Sequence, residues 1–204
     1  DTATGFMRAN DNDVEDLRTA MTITDVNGDS SGSLSGSYGA LTWMPNGTFT
    51  YTLDNNDPVV DALPQGGMLT ETFTYTLEDT GSLTDTSTVT ITILGVNDPP
   101  VAVADGFTTD EDVTLNDTVA PNDSDAEGDT LSFSLVSGPS DGTLVLNNDG
   151  SFSYTPDANF NGTDTFVYSV SDGNGGSDTA TVTITVDPVN DPPVATDNNY
   201  TTNE

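Results

Sequence analysis

TATVTITV, residues 179–186, sets threonine at every odd position and Ala180, Val182, Ile184 and Val186 between them. A period of two is the mark of a strand with one buried and one wet face. Ninety-three residues earlier TSTVTITI (86–93) repeats the pattern, and the stretches just upstream keep the same interval: TETFTYTLED (70–79) and TDTFVYSVSD (163–172). They place Phe73, Tyr75 and Leu77 opposite Phe166, Tyr168 and Val170, so each pair of stretches reads as two adjacent core strands closing a module. Further upstream NGTFTYT (46–52) and DGSFSYT (149–155) stand 103 residues apart, so the first copy carries ten extra residues between these landmarks. VNDPPVA occurs at 96–102 and again at 189–195, marking the boundaries of the repeat.

Elsewhere the apolar runs are short and separated by turn signals such as Asn46-Gly47, Asp149-Gly150 and Gly138-Pro139. Roughly six to eight such strands per module give an all-β chain of two tandem immunoglobulin-like β-sandwich modules. The boundaries fall at 1–97, a module read as truncated at its N-terminus, and at 98–190, with 191–204 a linker and the start of a third repeat, since 193–204 echoes 100–111. The chain thus reads as a piece of a longer array. Trp43, Phe49 and Tyr51 are expected in the first core, and Phe133, Phe152 and Tyr154 in the second. The extra residues of module one, 54–68, open with Asp57-Pro58, a cap and a first-turn proline, and predict one short helical turn ending before Pro64.

Thirty-four acidic residues face two basic ones, Arg8 and Arg18, with no Lys or His, for a formal charge of −32. Nucleic acid and anionic membrane are poor partners for such a surface, because binding phosphates requires Lys and Arg to displace counterions. Without cysteine there are no disulfides or thiolate metal sites, and no apolar run is long enough for a membrane helix. Catalysis is not expected either: His, Cys and Lys are missing, and the acids recur at module junctions instead of pairing in one cleft.

Cations remain as partners. NDSDAEGD (122–129) puts Asp123, Asp125, Glu127 and Asp129 at alternate positions of a turn, a pattern that converges oxygens on a hard cation such as Ca2+. It is not an EF-hand, because the twelfth position from Asp123 is Ser134 where a bidentate Glu is required. DVNGDS (25–30) fails the same test at Ser30. Ordinary turn chemistry, in which Asp and Asn accept hydrogen bonds from nearby backbone, is the competing reading of all these acids.

Together these segments resemble a known family. DSDAEGDTLSFSL, SVSDGNGGSDTATVTITV and VNDPP in module two resemble the Asp-x-Asp loop, the Asp-x-Gly turn and the Asn-Asp linker of a cadherin repeat. ANDND (9–13), PNGTFTYTLDNNDP (45–58) and LTETFTYTLED (69–79) make module one similar to the VCBS-type and cadherin-like tandem repeats of large bacterial surface adhesins. The resemblance implies calcium held between consecutive modules. It assigns Asn97, Asp98, Asp123, Asp125 and Asp172 to the central junction, with Asp54 and Asp57 from the lower end of module one. It assigns Asp11, Asp13 and Asp79 to the upper site of module one, and Asn190, Asp191, Glu111, Asp112 and Asp157 to the site below module two. Pro99 and Pro192 stand where cadherin linkers usually carry a further Asn.

The prolines fix φ near −65° and favour an extended linker. Five carboxylates within about 6 Å would repel in ten pairs, each by about 0.7 kcal/mol even in water, until a cation turns repulsion into coordination. The expected function is therefore a calcium-rigidified extender of a secreted or cell-surface protein, with neighbouring repeats of the same chain as partners. Self-association of like chains into a filament or matrix, and polysaccharide binding, are the alternatives.

Overall fold

The computed structural model describes residues 1–13, 20–193 and 195–202. Arg18, and Val194, Asn203 and Glu204 of the third-repeat echo, lie outside them. Contacts divide the chain into two compact units, Asp1–Asp98 and Pro99–Glu204, with the loop tip Ala126–Gly128 grouped with the first.

Module one is built from β1 (Thr2–Phe6), β2 (Thr22–Val26), β3 (Ser33–Ser35), β4 (Gly39–Trp43), β5 (Thr48–Leu53), β6 (Met68–Glu78) and β7 (Thr84–Leu94). Its two sheets run β1-β5-β4-β3 and β2-β6-β7, all antiparallel. The closing strands pair over eleven rungs with Phe73 opposite Val89, the neighbours that the period-two pattern implies. Their inward residues Phe73, Tyr75, Ile91 and Ile93 are buried, while the outward rungs are threonine on threonine: Thr70–Thr92, Thr72–Thr90, Thr74–Thr88 and Thr76–Thr86. Trp43 and Tyr51 sit in the core as expected, but Phe49 is only half-buried at its margin. The helical turn is Pro58–Asp61, capped by Asp57, whose carboxylate accepts from the Val59 and Val60 N–H groups.

Module two contains β8 (Asp105–Asp110), β9 (Leu115–Thr118), β10 (Ser132–Ser137), β11 (Gly142–Leu146), β12 (Ser151–Pro156), β13 (Gly162–Ser171) and β14 (Ser177–Asp187). The sheets run β10-β13-β14-β8 and β11-β12-β9. β8 lies parallel to β14, with Phe107 opposite Ile184. Phe107 meets Phe152 edge-on at 5.1 Å, and Phe152 meets Phe166 at 5.5 Å. Phe133, Phe152 and Tyr154 are buried, completing the expected core.

Arg8 belongs to this packing, not to the surface: it is 5% exposed, and its guanidinium donates to the Asn46 and Met21 carbonyls at 2.5 Å each. Positive φ at Gly47 brings the backbone against the Arg8 stem, where a Cβ would lie 2.8 Å from Cγ.

Candidate metal centre

A short 3-10 turn, Ala120–Asn122, delivers the chain from β9 into the acidic loop. Along it Asp123, Asp125, Glu127 and Asp129 are half-buried and the intervening Ser124, Ala126 and Gly128 exposed, so all four acids turn inward. Positive φ at Gly128 allows the tight turn. One oxygen from each of Asp125, Glu127 and Asp129 lies within 4.8 Å of the others. Two oxygens bound to one calcium at 2.3–2.6 Å can be at most about 5 Å apart, so these three carboxylates could hold a hard cation.

The surroundings hold each acid in place. Asp125 accepts from the Asp129 N–H at 3.0 Å, Glu127 from the Asp98 N–H of the linker at 3.0 Å, and Asp129 from the Asn174 amide at 2.7 Å. Asn97 Oδ1, Asp125 Oδ2 and Glu127 Oε2 are all withdrawn from solvent. Asp172, 5% exposed, accepts from the Asn174, Gly175 and Gly176 N–H groups at 2.7–3.1 Å. Gly176 is required there: a Cβ would strike the Asp172 carboxylate and come within 2.7 Å of the Pro99 Cα.

Asp123 has a different role from its neighbours. It accepts from the Val103 N–H at 2.7 Å and from the Tyr168 hydroxyl through both oxygens, at 3.1 and 3.0 Å. Burial first, then the Asp123 and Asp105 carboxylates, push the Tyr168 phenol well above its usual range. Burial likewise raises Asp105, against the opposing hydrogen bonds from Asn122 and Tyr168. Module one repeats the device. The Tyr75 hydroxyl donates to Asp11 at 2.7 Å and to the Met7 carbonyl at 3.0 Å, and the phenol is raised, by burial first and then by Asp11.

Asp11, Asp13 and Asp79 line one cleft of about 400 Å³, together with Tyr75 and Asp85. Asp54 and Asp57 accept from local N–H groups, Asp54 from Asn56 at 3.0 Å and Asp57 as the helix cap. Asn97 and Asn190 make the same local turn, each side-chain amide donating to the next carbonyl, of Asp98 at 3.0 Å and Asp191 at 3.4 Å. Glu111 is buried and accepts from the Val189 N–H at 2.6 Å, Asp112 accepts from Asn159 N–H at 3.1 Å, and Asp157 is exposed. Asp25 and Asp29 close local turns onto Gly28 and Ser31.

One pair of acids was not anticipated. Glu71 and Asp164 face inward among the core aromatics, 8% and 4% exposed. Asp164 accepts from the Ser140, Asp141 and Thr165 N–H groups and from the Tyr154 hydroxyl, all at 2.8–3.0 Å. Burial works to raise its carboxyl, but these four bonds win and lower it. Glu71 accepts from the Ser37 N–H and, at 2.8 Å, from the Tyr51 hydroxyl. In both modules a glycine lies against the tyrosine: at Gly142 a Cβ would sit 2.5 Å from the Tyr154 ring, and at Gly39 2.7 Å from the Tyr51 hydroxyl. The signal was present in the sequence, an acid at the same inward position of TETFTYT and TDTFVYS.

These features define two β-sandwich modules of immunoglobulin-like architecture in tandem. The family of bacterial cadherin-like domains matches residues 1–95, and that of bacterial Ig domains matches residues 97–185. The chain is therefore a tandem of bacterial cadherin-like and Ig-like repeats, domains that are typically extracellular and non-enzymatic. Among solved structures, repeats EC22–24 of mouse cadherin-23 share the fold at a TM-score of 0.50 and 17% identity, over 85% of this chain and 56% of that one. EC1–2 of human mucin-like protocadherin align at 0.45 and 19% identity, over 83% and 84% of the two chains. An endo-fucoidan hydrolase of glycoside hydrolase family 107, MfFcnA4, aligns at 0.35 and 24% identity; the alignment covers 83% of this chain but only 24% of the hydrolase. No curated protein matches the chain.

Proposed function

We propose that this chain is a calcium-rigidified extender of a large secreted or cell-surface repeat protein, an adhesin, with modules bounded at 97/98 and 190/191. The observation that carries the reading is the loop triad of Asp125, Glu127 and Asp129, one of whose members, Glu127, receives the N–H of the linker residue Asp98. A cation bound by the triad would fix the loop and, through Glu127, the linker. Asn97, Asp98 and Asp172 are proposed to complete its oxygen set. Asp123, whose two oxygens both accept from the Tyr168 hydroxyl, is proposed to join them through a remaining lone pair.

The cleft holding Asp11, Asp13 and Asp79 is proposed as the equivalent upper site of module one. Glu111, Asp112, Asp157, Asn190 and Asp191 are proposed for the site below module two, and Asp54 and Asp57 for the central junction, from the lower end of module one. Neighbouring repeats supply the partners.

The test is small-angle X-ray scattering during a calcium titration, comparing wild type with Asp125→Asn/Glu127→Gln. Wild type should narrow its distribution of interdomain distances at millimolar calcium, and the double variant should stay broad. A wild-type distribution indifferent to calcium would reject the extender mechanism.

A further inference from the structure

β4 and β11 are counterparts in the two modules. Gly39, Leu41 and Trp43 pair with Leu53, Tyr51 and Phe49, as Gly142, Leu144 and Leu146 pair with Pro156, Tyr154 and Phe152. Module one covers the outer edge of β4 with β3, an antiparallel strand that sets Leu34 opposite Leu41 and against the core. There the Gly39 carbonyl accepts from the Gly36 N–H at 2.7 Å, and the Trp43 N–H donates to the Gly32 carbonyl at 3.0 Å. In module two β11 is the outer member of β11-β12-β9, and among the described residues no strand pairs with its free side. The difference is internal to the chain. β3 lies in the connection 27–38 between β2 and β4, whereas 138–141, between β10 and β11, is too short to hold a strand and its return.

The main chain fixes which groups this edge presents. The Asn147 N–H donates to the Ser151 carbonyl at 2.8 Å and the Asp157 N–H to the Asp141 carbonyl at 2.9 Å, so the odd-numbered residues of β11 face β12. The N–H and C=O groups of Gly142, Leu144 and Leu146 therefore point away from β12. Leu144 is half-buried, where Leu41 beside β3 is 0% exposed. Edge strands are ordinarily blunted by charge, proline or a bulge. β2 and β10 each have a bulge, between Ile23 and Asp25 and between Leu135 and Ser137. β11, GTLVL, has none of the three and keeps unbroken register with β12.

Charge narrows the choice of occupant. From Thr130 to Asn148 the single acid is Asp141, on a chain that carries 34 acids in 204 residues. Here two polyanions can approach without setting acid against acid.

We propose that β11 pairs with β11 of a second copy of this chain, antiparallel about a twofold axis at Leu144. Gly142 then lies opposite Leu146, Thr143 opposite Val145, and Asp141 opposite the Asn147 amide. The pairing does between copies what β3 does within module one: it satisfies the outward main-chain groups and sets a leucine against Leu144. The same patch serves both copies, so the contact closes as a dimer and does not propagate. It uses none of the proposed metal ligands. Added salt strengthens it by screening the charge of −32 on each copy.

The test is sedimentation of the full chain in EDTA, so that failure of the calcium reading leaves it untouched. Wild type should gain mass with concentration and stop at a dimer. Val145 is exposed, so Val145→Asp should keep the fold by circular dichroism and weaken the dimer about tenfold or more. Register is read separately. The chain has no cysteine, so mild oxidation of a mixture of Thr143→Cys and Val145→Cys chains should cross-link one to the other, and either variant alone far less. A wild type that stays monomeric at millimolar concentration, a dimer indifferent to Val145→Asp, or equal cross-linking in mixed and single samples would overturn the proposal.

Discussion

Both modules close with a long threonine-faced strand; among the described residues β7 pairs with β6, and β14 pairs with β13 and β8. The contrast separates two contributions that sequence similarity merges. Alternation of threonine with Val or Ile builds the strand and buries one face in either module. In module two a further strand, β8, brings Phe107 against Phe152. The buried carboxylates differ in the same graded way. Asp164 collects three backbone N–H groups and a phenol, whereas the hydrogen bonds found for Glu71 come from Ser37 and Tyr51.

The largest expected effect tests that gradation. Asp164→Ala removes the acceptor of four buried donors and should destabilise module two by about 3 kcal/mol, with Glu71→Ala costing module one less. The measurement is two-transition denaturation followed by Trp43 fluorescence, which reports module one alone, and by circular dichroism. Equal losses would erase the distinction. The pH dependence follows from the lowered Asp164 carboxyl. A depressed folded-state value gives stability that is complete above the unfolded value of 3.8 and is lost as pH falls through the folded one. Module two should therefore lose stability below about pH 4, and Asp164→Ala should remove that part of the acid limb.

Next in size, Phe107→Ala should loosen the cover that β8 gives to β14. Loss of a partly buried ring should cost about 2 kcal/mol, and hydrogen exchange along Val182–Val186 should rise toward that of Val89–Ile93. Unchanged exchange would mean that β8 stays paired without its aromatic. The smallest effect belongs to the loop unique to module one. Asp57→Ala removes the helix cap and should cost about 1 kcal/mol or less. Exchange should increase in Val59–Leu63 alone, and a change in β7 protection would tie this loop to the closing strand.

Much of this was legible in the sequence, and the reason is periodicity. The interval of ninety-three located β6, β7, β13 and β14, and alternation named their buried faces. Asp57-Pro58 announced the helical turn because cap and proline act within four residues. Alternate acids marked the loop at 123–129, all four of which turn inward. Less legible was anything joining distant residues. Which oxygens converge depends on tertiary placement, so Glu127 and Asp129 complete the triad while Asp123 is held by Tyr168, forty-five residues away. The inward acids Glu71 and Asp164 broke the pattern visibly, but their partners lie on other strands. Phe49 has the same alternation as Phe152 but is only half-buried, and the rings that cover Phe152, Phe107 and Phe166, come from other strands.

The parallel pairing of β8 with β14 also has a mechanical meaning. These are the first and last strands of module two, so tension applied through the two linkers pulls at opposite ends of a side-by-side pair. The six rungs from Asp105–Val182 to Asp110–Asp187 are then loaded in shear and must yield nearly together, instead of unzipping one at a time. Module two is built to bear force along the chain.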